Sequence, residues 1–163
     1  MLADSLLDPI LLHAFSEDLA GGDITSEACV DAGLTLTATA LAKSALVVAG
    51  GRVFARAFTL LDPASTTDIL VPDGQLVEPR TEIFRVTGNA RALLAAERTA
   101  LNLVQRMSGT ATLAHRLVSL LPEGSRTRIT DTRKTTPGLR RLERYAVRCG
   151  GAHNHRDQLG SAV

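Results

Sequence analysis

Two short clusters of cationic side chains in the last third of the chain could bind a compact polyanion. Arg133 and Lys134 form the first cluster, and His155 and Arg156 form the second. An arginine offers a planar fork that binds a carboxylate through two hydrogen bonds, whereas a lysine carries a mobile point charge suited to phosphate. A solvated basic turn or an exposed polar loop would contain the same residues. The prediction of a site therefore requires a fold that brings the two clusters together.

The segment around these clusters predicts a strand, a loop and a helix. Residues 127–132 have the composition of a short strand, and a helix is predicted to begin at Pro137, where the missing N–H of proline costs little. Gly150 and Gly151 end that helix, and residues 152–156 are predicted as a second short strand. In parallel α/β arrangements, the loops after the carboxyl ends of strands form the site. Such an arrangement would place both clusters side by side.

The helix predicted after Pro137 is amphipathic. Its apolar residues recur at helical spacing, so one side of the helix is predicted to be buried. The buried positions are Leu139, Leu142, Ala146 and Cys149. Four arginines are predicted to point into solvent: Arg140, Arg141, Arg144 and Arg148.

The residues before this unit predict an α+β domain. Apolar residues at helical spacing indicate helices, whereas partly alternating runs rich in Val, Ile and Thr indicate strands. Helices are predicted at 5–19 and 53–61, and strands within 35–49 and at 67–71, 75–77 and 81–87.

A long amphipathic helix is predicted to end this first domain. Asn89 should cap the helix, and Ser108 with Gly109 should interrupt it before a further helix at 111–121. We therefore divide the chain into an α+β domain at 1–108 and a second part at 109–163. The second part contains a linker helix and the opening of an α/β domain.

Composition argues against several classes of function. A net charge of +1 over 163 residues argues against the strongly basic face of a nucleic-acid-binding protein. No apolar run of about 18 residues indicates a transmembrane helix. Cys29 and Cys149 are far apart and form no CxxC motif, which favours a reducing, cytoplasmic setting. His153 and His155 are weak evidence for a metal site, because no cysteine or carboxylate lies at ligand spacing.

Arg98 is a further candidate for anion binding. It lies in the helix after Asn89, close to apolar positions, where a guanidinium requires a partner anion. An ordinary salt bridge on the helix surface would satisfy it equally well. The acidic residues Glu17, Asp18 and Asp23 are interpreted as a helix end and a cap rather than as a catalytic acid pair.

Several motif blocks together resemble the quinolinate phosphoribosyltransferases. The most specific blocks are Asp-Thr-Arg-Lys-Thr-Thr-Pro-Gly-Leu-Arg at 131–140 and Asn-His-Arg at 154–156, at their joint spacing. Further blocks lie at 17–26, 96–109 and 145–148, so the resemblance covers essentially the whole chain. One small departure is an alanine, Ala152, where the family often has a third glycine.

The resemblance implies a pentosyltransferase of de novo NAD synthesis. Members of this family join quinolinate to phosphoribosyl pyrophosphate with Mg²⁺ and release nicotinate mononucleotide, pyrophosphate and CO₂. Quinolinate carries two adjacent carboxylates, so its pocket requires several forked cations. Bond formation at the ribose passes through an oxocarbenium-like state. Cations that hold the substrate in attack geometry and stabilise departing pyrophosphate would assist this step.

By this resemblance, six residues bind substrates: Arg98, Thr132, Arg133, Lys134, His155 and Arg156. Arg133 and Arg156 would bind the two carboxylates of quinolinate, while Thr132 and His155 would shape the pocket. The surrounding cations would favour a neutral His155 through like-charge repulsion. No residue of the chain is assigned a catalytic or metal-binding role.

The remaining two substrate contacts implied by the resemblance differ in origin. Lys134 would bind the phosphates of phosphoribosyl pyrophosphate in the same subunit. Arg98 would come from the first domain of a neighbouring subunit and complete the site across the interface of a homodimer.

The same resemblance implies an α+β N-terminal domain followed by the first strand and helix units of a TIM-like α/β barrel, which is seven-stranded in the family and incomplete here. Family members continue past the position of Val163, and their further residues hold another quinolinate-binding lysine and the ligands for Mg²⁺. We therefore expect a C-terminally truncated chain with an unpaired sheet edge and an uncovered helix face. Such a chain should show weak activity or none by itself.

Other functions remain open alternatives. The chain could be a non-catalytic module that forms dimers and binds anions. It could also be the related molybdenum-transport-associated protein, which resembles this family at the Arg-Lys-Thr and His-Arg blocks. Asn154 and the fuller match at 131–140 argue against that second alternative. A nicotinate-using relative is a minor option.

Overall fold

The computed structural model describes residues 2–161. The described chain forms the helices α1 (Asp4–Asp18), α2 (Ile24–Cys29), α3 (Gly51–Leu61), α4 (Ala90–Ser119) and α5 (Arg140–Cys149). It forms the strands β1 (Thr35–Leu41), β2 (Leu46–Val47), β3 (Thr66–Ile69), β4 (Leu76–Val77) and β5 (Glu82–Asn89), and a short 3₁₀ helix at Leu159–Ser161. The fold is therefore a mixed α/β arrangement. Among these helices, none combines the length and the apolar character needed to cross a membrane.

A three-stranded antiparallel sheet with the order β1–β5–β3 forms the centre of the first half. The central strand β5 largely alternates between buried and part-buried residues, as expected when one face of a strand covers a core. Phe84 of β5 is fully buried and lies 4.8 Å from Phe54 of α3, measured between ring centroids. Strands β2 and β4 form a separate antiparallel pair. The helices and strands predicted before residue 89 are confirmed within a few residues.

Two caps expected from the sequence are present. Asn89 accepts hydrogen bonds from the backbone N–H groups of Arg91 and Ala92 at the start of α4. Asp23 accepts the N–H of Ser26 at 3.0 Å, and its hydrogen bonds with Ser26 hold the pKa of this carboxyl below its ordinary value. Asp23 begins α2, a helix that the sequence analysis does not identify because its six residues are too few to show a periodic pattern.

Helix α4 continues through Ser108 and Gly109, so the predicted interruption and the separate helix at 111–121 are wrong. The Ser108 hydroxyl accepts the N–H of Ala49 at 3.1 Å and donates to its carbonyl oxygen at 3.2 Å. Because the hydroxyl bonds to the backbone of another segment, it does not compete for the backbone of its own helix. The result is one helix of 30 residues that reaches both halves of the chain.

The second half contains less regular structure than the sequence predicts. The strands expected at 127–132 and 152–156 are reduced to one parallel bridge between Thr130 and His153. In this bridge the N–H of Asp131 donates to the carbonyl oxygen of His153 at 3.0 Å. The parallel direction agrees with the expected arrangement, whereas the strand lengths do not.

Helix α5 begins at Arg140, later than the predicted start at Pro137. Gly138 has a φ of 80°, which is a left-handed conformation that a right-handed helix cannot contain. Residues 137–139 therefore form a turn before the helix.

Helix α5 packs closely against α4. Leu142 and Ala146 are buried, as predicted from their spacing. A Cβ atom on Gly150 would collide with the carbonyl oxygen of Ala111 and the side chain of Ala114 in α4. Only glycine therefore allows the end of α5 to approach α4 this closely.

Candidate functional site

The parallel bridge between Thr130 and His153 places the two cationic clusters on neighbouring segments. Arg133 and Arg156 each lie three residues beyond their bridge residue, since 133 − 130 and 156 − 153 are equal. Both segments leave the bridge in the same direction, so Arg133 and Arg156 occupy equivalent positions beyond the same end of the bridge. The segments are thus brought together as the sequence predicts.

A carboxylate ties the two segments to each other just beyond the bridge. The side-chain amide of Asn154 donates to Asp131 Oδ2 at 2.6 Å, and the N–H of His155 donates to Asp131 Oδ1 at 2.6 Å. The Asp131 side chain is only 6% exposed, so these bonds form away from water and are strong for their type. This carboxylate fixes how the segment with His155 and Arg156 lies against the segment with Arg133.

Arg133 carries the clearest sign of a binding role. Its side chain is half-buried, and its Nε–H is buried without a hydrogen-bond partner among the described residues. Its carbonyl oxygen accepts a hydrogen bond from Arg140 Nη2 at 3.3 Å, which fixes the backbone. A buried unpaired donor costs about 1–3 kcal/mol, more when it is charged. An anionic acceptor at this position would remove that cost.

Lys134, the other residue of the first cluster, is exposed. Lys134 lies in an exposed loop, where its N–H donates to Thr132 Oγ1 at 3.2 Å. Arg140 Nε donates to Thr135 Oγ1 at 3.0 Å and holds the other side of the same loop. The ammonium group of Lys134 is therefore carried by a loop with its own internal hydrogen bonds.

His155 and Arg156 are held through backbone contacts. The Nδ1 atom of His155 accepts the N–H of Arg156 at 2.7 Å, which leaves Nε2 as the ring atom available to donate to a ligand. His155 is exposed, whereas Arg156 is half-buried and its Nη1 lies 3.5 Å from the carbonyl oxygen of Leu159. The exposed Nε2 side of the ring can therefore reach a bound anion.

Arg144 is buried, so its predicted place on the solvent side of α5 is wrong. Its side chain is 10% exposed. Nη2 donates to the carbonyl oxygen of His155 at 2.7 Å, and Nη1 donates to that of Arg156 at 3.2 Å. The guanidinium also lies 3.5 Å from a carboxylate oxygen of Asp131 and 3.4 Å from one of Asp157. These acceptors belong to other segments, so the amphipathic pattern of α5 does not reveal them.

The sequence analysis assigned no role to Arg144, Asp131 or Asn154 in organising this region. One signal was available in α5, where the four arginines recur at helical spacing beside the apolar stripe. A stripe of arginines can lie in solvent, but it can equally well pack against carbonyl and carboxylate oxygens.

Arg98 shares no described hydrogen bond or ion pair with the other five predicted site residues. Its side chain is 73% exposed, and its Nε is 3.5 Å from a carboxylate oxygen of Asp18. It lines a cavity of about 670 Å³ between α1, α4 and the turn at 137–139. Four surface cavities of the described chain, including this one, are lined by residues other than Arg133 and Arg156. The cavity that Arg98 lines therefore reaches the turn after the first cluster but does not include the arginines of the two clusters.

A salt bridge fixes the loop of the first cluster to α4. Arg106 of α4 donates to Glu143 Oε1 at 2.6 Å and also contacts the Thr136 hydroxyl. Glu143 Oε2 in turn accepts the N–H of Thr136 at 3.2 Å. Burial raises the pKa of Glu143, but the hydrogen bonds from Arg106 and Thr136 outweigh it and hold the pKa below its ordinary value.

A second contact joins α5 to the first half of the chain. The Tyr145 hydroxyl donates to Asp73 Oδ2 at 2.8 Å, and the same carboxylate accepts the N–H groups of Gly50 and Gly51 at the start of α3. Burial, together with the hydrogen bond to Asp73 and its charge, raises the pKa of Tyr145 well above its ordinary value. Burial followed by the charge of Asp73 raises the pKa of Cys149 to about 11. Cys149 is half-buried and packs against the core, so its predicted burial is confirmed only in part.

The acidic residues near the cationic clusters are poorly placed for a magnesium ion. Within residues 2–161, no group of three or more His, Cys, Asp or Glu side chains is placed to hold a metal ion. Near the cationic clusters, Asp131 and Asp157 lie against Arg144. The acidic residues of this region therefore do not fit a Mg²⁺ site, since both face the guanidinium of Arg144.

Two family models match the chain over almost its whole length. The model described as quinolinate phosphoribosyl transferase, N-terminal domain, matches residues 23–108, and the model of the C-terminal domain of the same enzyme matches residues 110–163. The chain belongs to the quinolinate phosphoribosyltransferase family. This confirms the resemblance that the motif blocks indicated.

Individual relatives agree with this assignment. A probable nicotinate-nucleotide pyrophosphorylase (carboxylating) of Bacillus subtilis is 42% identical over 96% of this chain and 54% of its own length. The nicotinate-nucleotide pyrophosphorylase (carboxylating) of Mycobacterium leprae is 41% identical over 100% of this chain and 59% of its own length. The crystal structure of NadC from Streptococcus pyogenes superposes with a TM-score of 0.95 at 38% identity, over 100% of this chain and 57% of that one.

The chain thus spans about half the length of the relatives that it matches. A matched quinolinate phosphoribosyltransferase (decarboxylating) of Nicotiana glauca, which is 37% identical, is named as mitochondrial. A cytoplasmic location therefore stays a prediction for this protein.

Proposed function

We propose that this protein acts as a quinolinate phosphoribosyltransferase in NAD biosynthesis. The ring nitrogen of quinolinate would attack C1′ of phosphoribosyl pyrophosphate, and the bond from C1′ to the pyrophosphate oxygen would break. The carboxylate next to the ring nitrogen would leave as CO₂, and the carbon that loses it would take up a proton. The observation that carries this proposal is the parallel bridge that aligns Arg133 with Arg156, supported by membership of the family.

The two clusters suit the two substrates in different ways. Arg133 and Arg156 would bind the carboxylates of quinolinate, and the unpartnered Nε–H of Arg133 supports its assignment. His155 would donate from Nε2, and Thr132 would shape the loop. Lys134, exposed on that loop, would bind the phosphates of the donor. The cations would hold both substrates in attack geometry and stabilise departing pyrophosphate.

Arg98 would act in the site of a second subunit of a homodimer. Its exposed side chain, which makes one long ion pair at 3.5 Å, supports a contribution in trans. Exposed apolar side chains on the same helix, at Leu94, Leu113 and Leu117, support packing against another surface. Mixing Arg98→Ala protein with Arg133→Ala protein should restore quinolinate binding in part, because one site of each mixed dimer is intact. No recovery after exchange of subunits would exclude the arrangement in trans.

Residues 109–163 would open an α/β barrel, after a first domain at 1–108. Two observations support this proposal. Helix α5 connects the two segments of the parallel bridge, and the C-terminal family model matches 110–163. The Mg²⁺ that the family uses would be held by residues outside the clusters described above. The molybdenum-transport alternative has no support among the relatives described above.

Calorimetry with quinolinate tests the proposed function directly. Arg133→Ala should weaken binding about 30- to 150-fold, because losing a hydrogen-bonded cation costs about 2–3 kcal/mol. The matched control is Arg116→Ala, which removes an exposed arginine from the last turn of α4. Nicotinate, with one carboxylate, should bind more weakly than quinolinate to the unsubstituted protein. Equal binding of quinolinate by both variants would refute the assignment. Anion binding that Arg133→Ala leaves intact would favour the anion-binding module.

A further inference from the structure

The buried guanidinium of Arg144 contacts both residues of the second cationic cluster at their backbone carbonyl oxygens. It donates to the carbonyl oxygen of His155 at 2.7 Å and to that of Arg156 at 3.2 Å. Its backbone is engaged as well, since the carbonyl oxygen of Arg144 accepts the side-chain amide of Asn154 at 2.9 Å. One residue of α5 thus contacts three consecutive positions at the site: the side chain of Asn154 and the backbone carbonyls of His155 and Arg156.

Arg144 also faces two carboxylates. Its Nη1 lies 3.5 Å from Asp131 Oδ2, and its Nε lies 3.4 Å from Asp157 Oδ1. Without a cation between them, these carboxylates would repel a bound dianion and compete for the cationic clusters. A guanidinium at this point pairs with both acids and so reduces their competition for the clusters.

The set of acceptors requires the shape of an arginine. Two carbonyl oxygens and two carboxylates surround one planar group, and a guanidinium has five N–H donors in a fixed fork. A lysine would keep the charge, but its single ammonium group cannot lie along both carbonyls and both acids. A lysine at position 144 would therefore keep the positive charge and remove the forked set of donors.

We infer that Arg144 is a positioning residue for the binding of the dicarboxylate, which rests on the proposed function. It acts through His155 and Arg156: the fork fixes their carbonyl oxygens on the α5 side, so that their side chains are presented to the ligand. Lys134 lies on the other segment and has no contact with Arg144 among those described. Loss of the fork should therefore affect quinolinate far more than the phosphoribosyl donor.

Calorimetry on the full chain with Arg144→Lys, with Arg141→Lys as the control, tests this inference. Arg141 lies on the same helix with its side chain 64% exposed and makes one ion pair to Asp157 at 3.5 Å. Arg144→Lys should weaken quinolinate binding by at least about tenfold and leave the affinity for phosphoribosyl pyrophosphate nearly unchanged. Arg141→Lys should change neither affinity. Equal losses for both ligands in Arg144→Lys, or no loss for either, would overturn the inference.

A second variant separates positioning from folding. Arg144→Ala leaves a polar space that methylguanidinium fits, so adding this compound should restore quinolinate affinity to Arg144→Ala and do nothing for Arg133→Ala. Failure of the compound to restore any affinity to a folded Arg144→Ala protein would count against the role of the fork.

Amide hydrogen exchange tests the role of Arg144 without a bound ligand, and therefore independently of the proposed function. The N–H of His155 donates to Asp131, so Arg144→Lys should lose protection at 153–157 and retain it in α3 and β5. If the unsubstituted protein does not bind quinolinate, the proposed function fails and the exchange result alone decides the inference. Unchanged protection at His155 in Arg144→Lys would then refute it.

Discussion

The sheet region at 35–104 and the site region at 125–161 are stabilised in different ways. The sheet region has paired strands, with one shift of register between Ala40 and Leu41, and side chains such as Phe84 and Val53 that are fully buried. The site region has one parallel bridge and relies on carboxylates and guanidinium groups that contact backbone atoms. Apolar burial tolerates small changes of shape, whereas a polar network fails when one donor is misplaced. Stability and binding should therefore respond to different substitutions.

The two regions meet where α5 lies on α4. Leu142 and Ala146 extend the apolar core into the site region, and Tyr145 and Glu143 add polar contacts beside them. This contact allows the rigid sheet region to support a site that has little regular structure of its own. The substitutions below probe each side of the contact in turn.

The largest effect on stability is expected in the sheet region. Phe84→Ala removes a fully buried ring from the central strand, and it should lower the free energy of unfolding by about 3–5 kcal/mol. Urea unfolding followed by circular dichroism measures this change. Leu120→Ala, at a position that is 79% exposed, should change the same quantity by less than about 0.5 kcal/mol. Similar losses for the two variants would show that the sheet core is not the main source of stability.

Two glycines, one where α5 meets α4 and one at an exposed position of α4, should respond in opposite directions. Gly150→Ala forces a Cβ atom into the backbone of α4 and should destabilise the protein by about 1–3 kcal/mol. Gly109→Ala, in the interior of α4 with open space around the new atom, should stabilise it by about 0.5–1 kcal/mol. Thermal unfolding should show a lower melting temperature for Gly150→Ala and a higher one for Gly109→Ala than for the unsubstituted protein. A stable Gly150→Ala protein would contradict the close approach described for α5.

Loss of the Tyr145 hydroxyl should have a smaller effect that depends on pH. Tyr145→Phe breaks the bond to Asp73 and should cost about 0.5–1.5 kcal/mol near neutral pH. Because the pKa of Tyr145 is raised in the folded protein, its contribution is complete below the ordinary value of 10.0 and is lost as pH rises above it. Unfolding measured at pH 8 and in alkaline solution should show the difference between the proteins shrinking. A constant difference would exclude ionisation of Tyr145 as its cause.

The smallest effect is expected at Glu143. Its pKa is lowered in the folded protein, so its contribution to stability is present above the ordinary value of 4.5 and is lost as pH falls below it. Glu143→Gln should therefore destabilise by less than about 1 kcal/mol at pH 7, since its partner Arg106 is half-exposed. In acid the variant and the unsubstituted protein should converge. Chemical unfolding across this pH range tests the sign, and divergence in acid would contradict it.

Local features of the fold could be predicted from the sequence, whereas distant contacts could not. The cap at Asn89 was predictable because the side chain bonds to the next few residues. The continuity of α4 was not, because the Ser108 hydroxyl is satisfied by Ala49, far away in the chain. The burial of Arg144 was missed for the same reason, since its acceptors lie on the other side of the Gly150 turn.

The candidate site shows the same division. The motif blocks indicated that Arg133 and Arg156 belong together, and the direction of the bridge agrees with that prediction. The carboxylate of Asp131, which joins the two segments, was part of a block but had no predicted function. The contribution of Arg98 depends on a second subunit, so it stays a prediction.

The continuity of α4 has a consequence for experiments that cut the chain. The matched regions meet between residues 108 and 110, in the middle of a helix about 45 Å long. A protease must unwind a helix before it can cut there, so limited digestion should spare this segment and begin in the exposed loop at 122–128. The first stable fragment should therefore keep all of α4, and its boundary will differ from the one that sequence families suggest.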